Sequence, residues 1–203
     1  MPELNVTVDG KPVAASASTI RDVIKDKRAI AARVNGVPMD LATSLADGMT
    51  IETITPDTPE GLHLLRHSTA HVMAEAVKAL FPDAKPTIGP ATEDGFYYDF
   101  DRDEPFSSED LAAIEEKMAE LVKADEPFVR RELPASEAKK FFSDKGEPYK
   151  VEIIEDLGDG VDKVSLYEQG TFTDLCRGPH VPSSGSIKAF KLLSVAGAYW
   201  RGD

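Results

Sequence analysis

A long helical pattern that begins directly after two prolines constrains this fold more than any other feature of the sequence. Apolar and small side chains recur at spacings of three and four, which is typical of a helix with one buried stripe. The stripe consists of Leu65, Thr69, Val72, Ala76 and Leu80. Thr58 is a suitable N-cap, Pro59 a suitable first helical residue, and Pro82 ends the pattern. The sequence therefore predicts a helix from Pro59 to about Phe81.

The prolines at positions 56 and 59 also divide the chain into two parts. Residues 4–54 contain five short strand patterns and one short helical pattern capped by Ser18 or Thr19. Asp9-Gly10 and Asn35-Gly36 are typical of two-residue hairpin turns. This order predicts a ubiquitin-like β-grasp domain over residues 1–58. Because this part contains neither histidine nor cysteine, its simplest interpretation is a small interaction module.

The second part, residues 59–203, mixes helical and strand patterns. Further helices are expected at about 108–124 and 136–145. Strand patterns are found at residues 95–100, 149–154, 163–168, 171–174 and 189–195. The prediction for this part is one domain with helices packed on an antiparallel sheet, so the chain as a whole belongs to the α+β class.

Several classes of protein are disfavoured by composition. A single cysteine, Cys176, excludes an intrachain disulfide and fits a reducing compartment. The start has no basic segment followed by an apolar run, and nowhere do 18 apolar residues follow one another. We therefore expect a cytoplasmic protein with no membrane partner.

The residues best suited to chemistry are three histidines on the long helix and a Cys-x-x-x-His segment near the end. His63, His67 and His71 are spaced by four residues, and Cys176 is followed by His180. Two helical histidines with Cys176 and His180 suit tetrahedral Zn²⁺. Without metal, the same imidazoles can deprotonate water near pH 7. Spacing alone leaves both possibilities open, together with a solvated polar face for His67 and His71.

Three motifs of the second part resemble one known family. They are His67-Ser68-Thr69-Ala70-His71, Gly95-Phe96-Tyr97-Tyr98-Asp99 and Asp174-Leu175-Cys176-Arg177-Gly178-Pro179-His180. In this order they resemble the editing domain of bacterial-type threonyl-tRNA synthetases, and residues 4–54 resemble the TGS domain that precedes it. Residues 199–203 resemble the stretch where that family continues into its class II aminoacylation core. The resemblance implies that this chain is an amino-terminal part and does not charge tRNA by itself.

The resemblance also implies a set of site residues. By this resemblance His67, His71, Cys176 and His180 line the pocket, and Tyr98, Lys150 and Asp174 match its other polar residues. We assign catalysis to His67, Lys150 and His71, and substrate binding to Tyr98, Asp174, Cys176 and His180. We expect His67 with Lys150 to activate water, Lys150 to stabilise the oxyanion, and Asp174 to receive the α-ammonium group. The expected cofactor is none, with zinc on His67, His71, Cys176 and His180 as the alternative.

The implied reaction is hydrolytic proofreading of seryl-tRNA(Thr), which releases serine from the tRNA 3′ end. The implied partner is the aminoacylated 3′ end of tRNA(Thr), and dimerisation is expected only through the family's catalytic core. Two alternatives stay open. One is a zinc-dependent hydrolase of another ester or amide, although the helix lacks the glutamate of a His-Glu-x-x-His motif. The other is a TGS-type binding or regulatory module without catalysis.

The net charge of −13 argues against a nucleic-acid partner if it is taken alone. The acidity is uneven, however. Residues 93–116 hold ten acidic side chains and one basic one, whereas residues 161–203 hold four acidic and five basic ones. We therefore expect weak, salt-sensitive binding of tRNA rather than none.

Overall fold

The computed structural model describes residues 3–158, 160–197 and 200, which form ten strands and five α-helices. The strands are β1 (Leu4–Val8), β2 (Lys11–Ala15), β3 (Ala31–Val34), β4 (Val37–Met39), β5 (Thr50–Ile54), β6 (Lys85–Pro86), β7 (Phe100–Asp101), β8 (Val129–Pro134), β9 (Lys163–Gln169) and β10 (Phe172–Leu175). The helices are α1 (Ile20–Val23), α2 (Pro59–Leu80), α3 (Ser108–Ala124), α4 (Ala135–Asp144) and α5 (Pro148–Asp156). The predicted α+β class is confirmed.

The amino-terminal strands form one mixed sheet in the order β2-β1-β5-β3-β4, in which β1 and β5 run parallel and the other pairs antiparallel. Both predicted hairpin turns are confirmed, since Asp9, Gly10, Asn35 and Gly36 all have positive φ angles. The short helix α1 begins after Thr19, as expected. The assignment of residues 1–58 to a TGS domain stays a prediction.

The long helix α2 confirms the central prediction of the sequence. The Thr58 hydroxyl accepts a hydrogen bond from the Gly61 amide at 3.0 Å, which caps the helix as expected. A β-carbon at residue 61 would collide with the Thr55 carbonyl, so the helix begins tight against the preceding segment. From Ser68 to Val77 all but one residue of the helix are buried. The middle of helix α2 therefore lies inside the molecule, whereas its two ends reach the surface.

The second sheet has the order β10-β9-β8 and is antiparallel throughout. Because side chains alternate along a strand, β9 packs helices on both faces. Val164 and Leu166 contact Phe142 of α4 and Ile154 of α5, whereas Tyr167 belongs to the apolar cluster formed with α2 and α3. The predicted packing of helices on an antiparallel sheet is thus confirmed.

Three strand predictions in the second part are wrong. Residues 149–154 form helix α5 instead, because Pro148 starts a helix and Lys150 and Ile154 share a buried face at helical spacing. Of residues 95–100, only Phe100 lies in a strand, and residues 189–195 form no regular element. Strand β8 was not predicted, since its side chains are largely exposed and its pattern is polar.

The two parts of the chain share an apolar cluster. Ile30 and Ile54 of the amino-terminal part pack in the same cluster as Leu64 and Val72 of α2. Arg33 of β3 also pairs with Glu60 in the first turn of α2. No helix among the described residues has the length and apolar character needed to cross a membrane. The motif predicted at residues 199–203 lies outside the described residues, except for Trp200.

Candidate functional site

Four side chains from two elements meet in one cluster, which we call the histidine cluster: His67, His71, Cys176 and His180. His67 and His71 project from α2, one turn apart, and the other two lie on the loop after β10. The His67 Nε2 atom lies 3.1 Å from the Cys176 Sγ atom, which lies 3.4 Å from the His180 Nε2 atom. The sequence prediction that the two motifs meet is therefore borne out by the geometry.

The loop that carries Cys176 packs against two residues of β9, Ser165 and Tyr167. The Cys176 amide donates to the Ser165 carbonyl at 3.1 Å, and the Ser165 hydroxyl donates to the Cys176 carbonyl at 2.6 Å. Gly178 has a φ of +69°, and a β-carbon there would collide with the Tyr167 hydroxyl. Only glycine fits both requirements, which places the turn between Cys176 and His180.

Sequence reasoning did not single out Ser68, although it lies within the quoted histidine motif. Its hydroxyl lies 3.0 Å from the His180 Nδ1 atom and accepts a hydrogen bond from the Val181 amide at 3.2 Å. Phe128 stacks on the His180 ring with centroids 4.7 Å apart. Since the Nδ1 atom of His180 has a partner, its Nε2 atom is left to face Cys176. A small hydroxyl residue beside a helical histidine is the signal that could have identified Ser68.

A buried ion pair lies directly behind the histidine cluster. Lys150 and Asp174, both almost fully buried, are in contact as ammonium and carboxylate, although the approach is not aligned as a hydrogen bond. The Lys150 Nζ atom donates to the Thr87 carbonyl at 2.7 Å and to the Tyr98 hydroxyl at 2.9 Å. The Tyr98 hydroxyl in turn donates to the Asp174 Oδ2 atom at 2.6 Å. All three residues were named from the sequence.

His71 connects the ion pair with the histidine cluster. Its Nε2 atom lies 3.5 Å from the Asp174 Oδ2 atom, and its ring contacts that of His180 with centroids 4.2 Å apart. The side chain of His71 is only 2% exposed. The expectation of a solvated polar face is therefore wrong for His71, because β10 and its following loop cover that face of α2. His67 remains partly exposed at the mouth of the site.

Burial keeps most of these groups uncharged. Desolvation lowers the pKa of His67 and lowers the pKa values of His71 and His180 well below the ordinary histidine value. Burial also raises the pKa of the Cys176 thiol to about 12. The cluster thus presents neutral imidazoles and a neutral thiol at pH 7. Neutral imidazoles are proton acceptors, which is the state that general-base catalysis requires.

A second buried carboxyl lies close to the ion pair and was not predicted. Glu147 is buried at the start of α5, and its Oε2 atom has no hydrogen-bond partner. Burial raises the pKa of Glu147, while the nearby Lys150 opposes that rise. A protonated carboxyl at this position would avoid a second buried negative charge beside Asp174.

Two polar residues of α2, His63 and Lys78, lie apart from the cluster. His63 is exposed one turn before His67, so the third helical histidine does not join the site. Lys78 donates to the carbonyls of Pro82 and Ala84 and holds the end of the helix. Of the histidine repeat, only the members that face the loop after β10 are brought together.

The donor atoms of the histidine cluster fit a metal ion. The four ligand atoms all lie within 4.8 Å of one another. Histidine nitrogens and a cysteine sulfur are ligands that Zn²⁺ uses, and the Ser68 hydroxyl on the Nδ1 atom of His180 would orient that ring toward the ion. The geometry therefore admits zinc, and the expectation of a metal-free site stays a prediction.

A large cavity is lined by Tyr98 but by neither member of the Lys150–Asp174 ion pair. Its volume is about 1570 Å³, and it lies between the amino-terminal part, α2 and residues 182–197. It includes none of the four residues of the histidine cluster. The cavity is lined mostly by apolar groups and scattered surface charges. Choosing the functional site by cavity volume alone would therefore miss the histidine cluster.

The sequence of the chain is similar to those of known tRNA synthetases. The profile of a family described as "Threonyl and Alanyl tRNA synthetase second additional domain" matches residues 164–203. The chain is 58% identical over 212 aligned residues to a threonine–tRNA ligase of Geobacter sp. (strain M21), covering 100% of this chain and 33% of the relative. Identity is 57% to that of Pelobacter propionicus, covering 93% of this chain and 30% of the relative. It is 53% to that of Nitratidesulfovibrio vulgaris (strain Miyazaki F), covering 98% and 32%. The chain spans about a third of the length of the relatives it matches.

Proposed function

We propose that the chain is the amino-terminal, proofreading part of a threonine–tRNA ligase, because it is 58% identical to one such enzyme and 53% identical to another over about a third of their length. Its reaction is the hydrolysis of seryl-tRNA(Thr), which releases serine from the tRNA 3′ end. The observation that carries the proposal is the cluster of three neutral imidazoles, those of His71 and His180 buried and that of His67 partly exposed, beside the Lys150–Asp174 ion pair. Residues 1–58 are the TGS domain and residues 59–203 the editing domain in this proposal.

A physical need for such a site follows from the likeness of the two amino acids. Serine lacks one methyl group of threonine, and a pocket built for the larger side chain discriminates by only about 1–3 kcal/mol. A second site that admits serine and excludes threonine by steric contact multiplies that selectivity. The tight packing of His71 and His180 leaves little room beside the ion pair, which supports exclusion of an added methyl group.

In the proposed mechanism, His67 accepts a proton from the attacking water. The water oxygen bonds to the ester carbonyl, the ester C–O bond breaks, and the ribose oxygen leaves with a proton. His67 suits this role because it is the partly exposed imidazole of the cluster and is neutral at pH 7. His71 links this histidine to the ion pair and holds Asp174 in place.

Lys150 and Asp174 provide the charges for substrate binding. The Asp174 Oδ1 atom contacts the Lys150 ammonium but has no aligned hydrogen-bond donor, so in this proposal it also accepts from the α-ammonium group of serine. Lys150 neutralises that carboxylate and stabilises the developing oxyanion, and Tyr98 fixes both side chains. Cys176 and His180 form the wall that contacts the seryl side chain and the terminal adenosine.

The second candidate function, a zinc-dependent hydrolase, is favoured by the close approach of the four ligand atoms. His67, His71, Cys176 and His180 would hold the ion, which would act as a Lewis acid toward the ester carbonyl. We expect no metal requirement. Stoichiometric zinc in the purified chain, with activity lost on chelation and restored by zinc, would overturn that expectation.

The deciding experiment compares release of serine from seryl-tRNA(Thr) with release of threonine from threonyl-tRNA(Thr) by this chain. We expect preferential release of serine. His67→Gln should lower the rate by about 100-fold, because general-base catalysis typically contributes 10²–10⁴-fold. His63→Gln, an exposed histidine one turn away, is the matched control. Binding without turnover would favour a non-catalytic module instead.

A further inference from the structure

One residue of the amino-terminal part makes two hydrogen bonds with the proposed editing site. Asp40 directly follows β4, in a part of the chain without histidine or cysteine. Its Oδ1 atom accepts a hydrogen bond from the His180 amide at 2.8 Å. Its Oδ2 atom accepts one from the Tyr167 hydroxyl at 2.6 Å. Both oxygens of one carboxylate are therefore engaged with the second part of the chain.

Both donors belong to the frame of the histidine cluster. The Tyr167 ring meets the His180 ring edge to face, with centroids 4.5 Å apart. Its hydroxyl also fills the space in which residue 178 has no side chain. Asp40 thus holds the end of the loop directly at His180 and its middle through Tyr167.

No other contact described for His180 replaces the one to its backbone amide. Ser68 and Phe128 hold the ring of His180, and Cys176 faces its Nε2 atom. Asp40 alone among the described partners accepts from the amide. The ring contacts fix where the imidazole lies, whereas the carboxylate fixes the backbone from which it projects.

We propose that Asp40 is a positioning residue through which the amino-terminal domain sets the Cys176–His180 loop for hydrolysis. This inference rests on the proposed function for its effect on turnover, but the placement of the loop can be tested without substrate. Since misplacement by about 1 Å can cost 100-fold in rate, a contact remote from the reacting atoms suffices. The amino-terminal domain is then part of the editing device rather than a separate module.

The chemistry of the contact predicts an order among variants. In Asp40→Asn, the amide oxygen can still accept from the His180 amide, while its NH₂ group can donate to the Tyr167 oxygen. Asp40→Ala removes both contacts and leaves the His180 amide unpaired. We therefore expect Asp40→Asn to behave nearly as the unchanged protein and Asp40→Ala to be impaired.

The first measurement is the rate at which iodoacetamide alkylates Cys176 in the folded chain. Because Cys176 is the only cysteine, the reaction reports on this loop alone. Asp40→Ala should accelerate alkylation by about tenfold, as expected from the loss of a buried hydrogen bond. Asp47→Ala is the control, since that carboxylate accepts from the Asn5 amide within the amino-terminal part. It should leave the alkylation rate unchanged even if it lowers thermal stability.

The second measurement is turnover of seryl-tRNA(Thr), with kcat expected to fall about tenfold in Asp40→Ala and KM to change little. Unchanged alkylation and unchanged kcat in folded Asp40→Ala would overturn the inference, as would equal effects of Asp47→Ala. If Asp40→Ala does not fold, Tyr167→Phe replaces it, and an alkylation rate equal to that of the unchanged protein overturns the inference. Absence of turnover in the unchanged protein would refute the proposed function, while alkylation would still decide the role of Asp40.

Discussion

The amino-terminal sheet and the histidine site are both buried, but they bury different kinds of side chain. Within residues 3–58 every buried side chain is apolar, as in the cluster around Ile20, Val34 and Ile51. The second part also buries polar and charged side chains, among them His71, His180, Lys150, Asp174 and Glu147. Polar groups are costly to bury, even when they are paired. The contrast indicates that the first region is built for stability and the second for chemistry.

The largest expected effect is that of removing Lys150, whose loss leaves the Asp174 carboxylate buried without its counter-ion. Lys150→Met should lower the free energy of unfolding by about 3–5 kcal/mol and abolish serine release. Denaturant unfolding and the seryl-tRNA(Thr) assay measure the two effects. Lys140→Met is the control, because Lys140 pairs with Asp144 on the exposed face of α4. A change above about 0.5 kcal/mol in that control would contradict the contrast between buried and exposed pairs.

A change in the apolar core of the amino-terminal sheet should affect stability alone. Ile51 is fully buried there, and Ile51→Ala should cost about 2–5 kcal/mol through lost contacts and the cavity left behind. The rate of serine release per folded molecule should stay unchanged at a temperature well below the melting transition. A selective loss of kcat in folded protein would show that the apolar core of this sheet, and not only Asp40, affects the histidine cluster.

The pH dependence of stability should come from the second region. Burial lowers the pKa values of His67, His71 and His180, so between those values and about 6.5 the unfolded chain binds more protons than the folded one. The contribution of these histidines leaves the free energy of unfolding at its highest above pH 6.5, and the free energy falls as the pH decreases below 6.5. Each histidine that stays neutral in the fold contributes a slope of about 1.4 kcal/mol per pH unit.

Denaturant unfolding between pH 5 and pH 8 checks this expectation. The variant His71→Gln should flatten the slope below pH 6.5, and His63→Gln, on the exposed side of the same helix, should not. Equal slopes in His71→Gln and the unchanged protein would contradict a cost from buried imidazoles.

Local patterns of the sequence predicted most of the regular structure correctly. The hairpins at Asp9-Gly10 and Asn35-Gly36 and the start of α2 follow from turn and cap chemistry that acts within a few residues. Residues 149–154 show where this fails. Their alternating pattern fits a strand, but Pro148 starts a helix, and the burial of Lys150 beside Asp174, 24 positions later, decides which face of that helix is buried.

The sequence by itself determined which residues are equipped for chemistry, because histidine, cysteine and the helical spacing of His67 and His71 are visible in it. Only the tertiary structure decided the protonation state and the partners of these side chains. Packing of α2 against β10 and the following loop removes water from His71 and His180, which makes them neutral, and a contact between α5 and β10 pairs Lys150 with Asp174. Contact between distant segments also brings Asp40 to His180, 140 positions apart. Spacing fixes neighbours along one helix, whereas desolvation and long-range pairing depend on the whole fold.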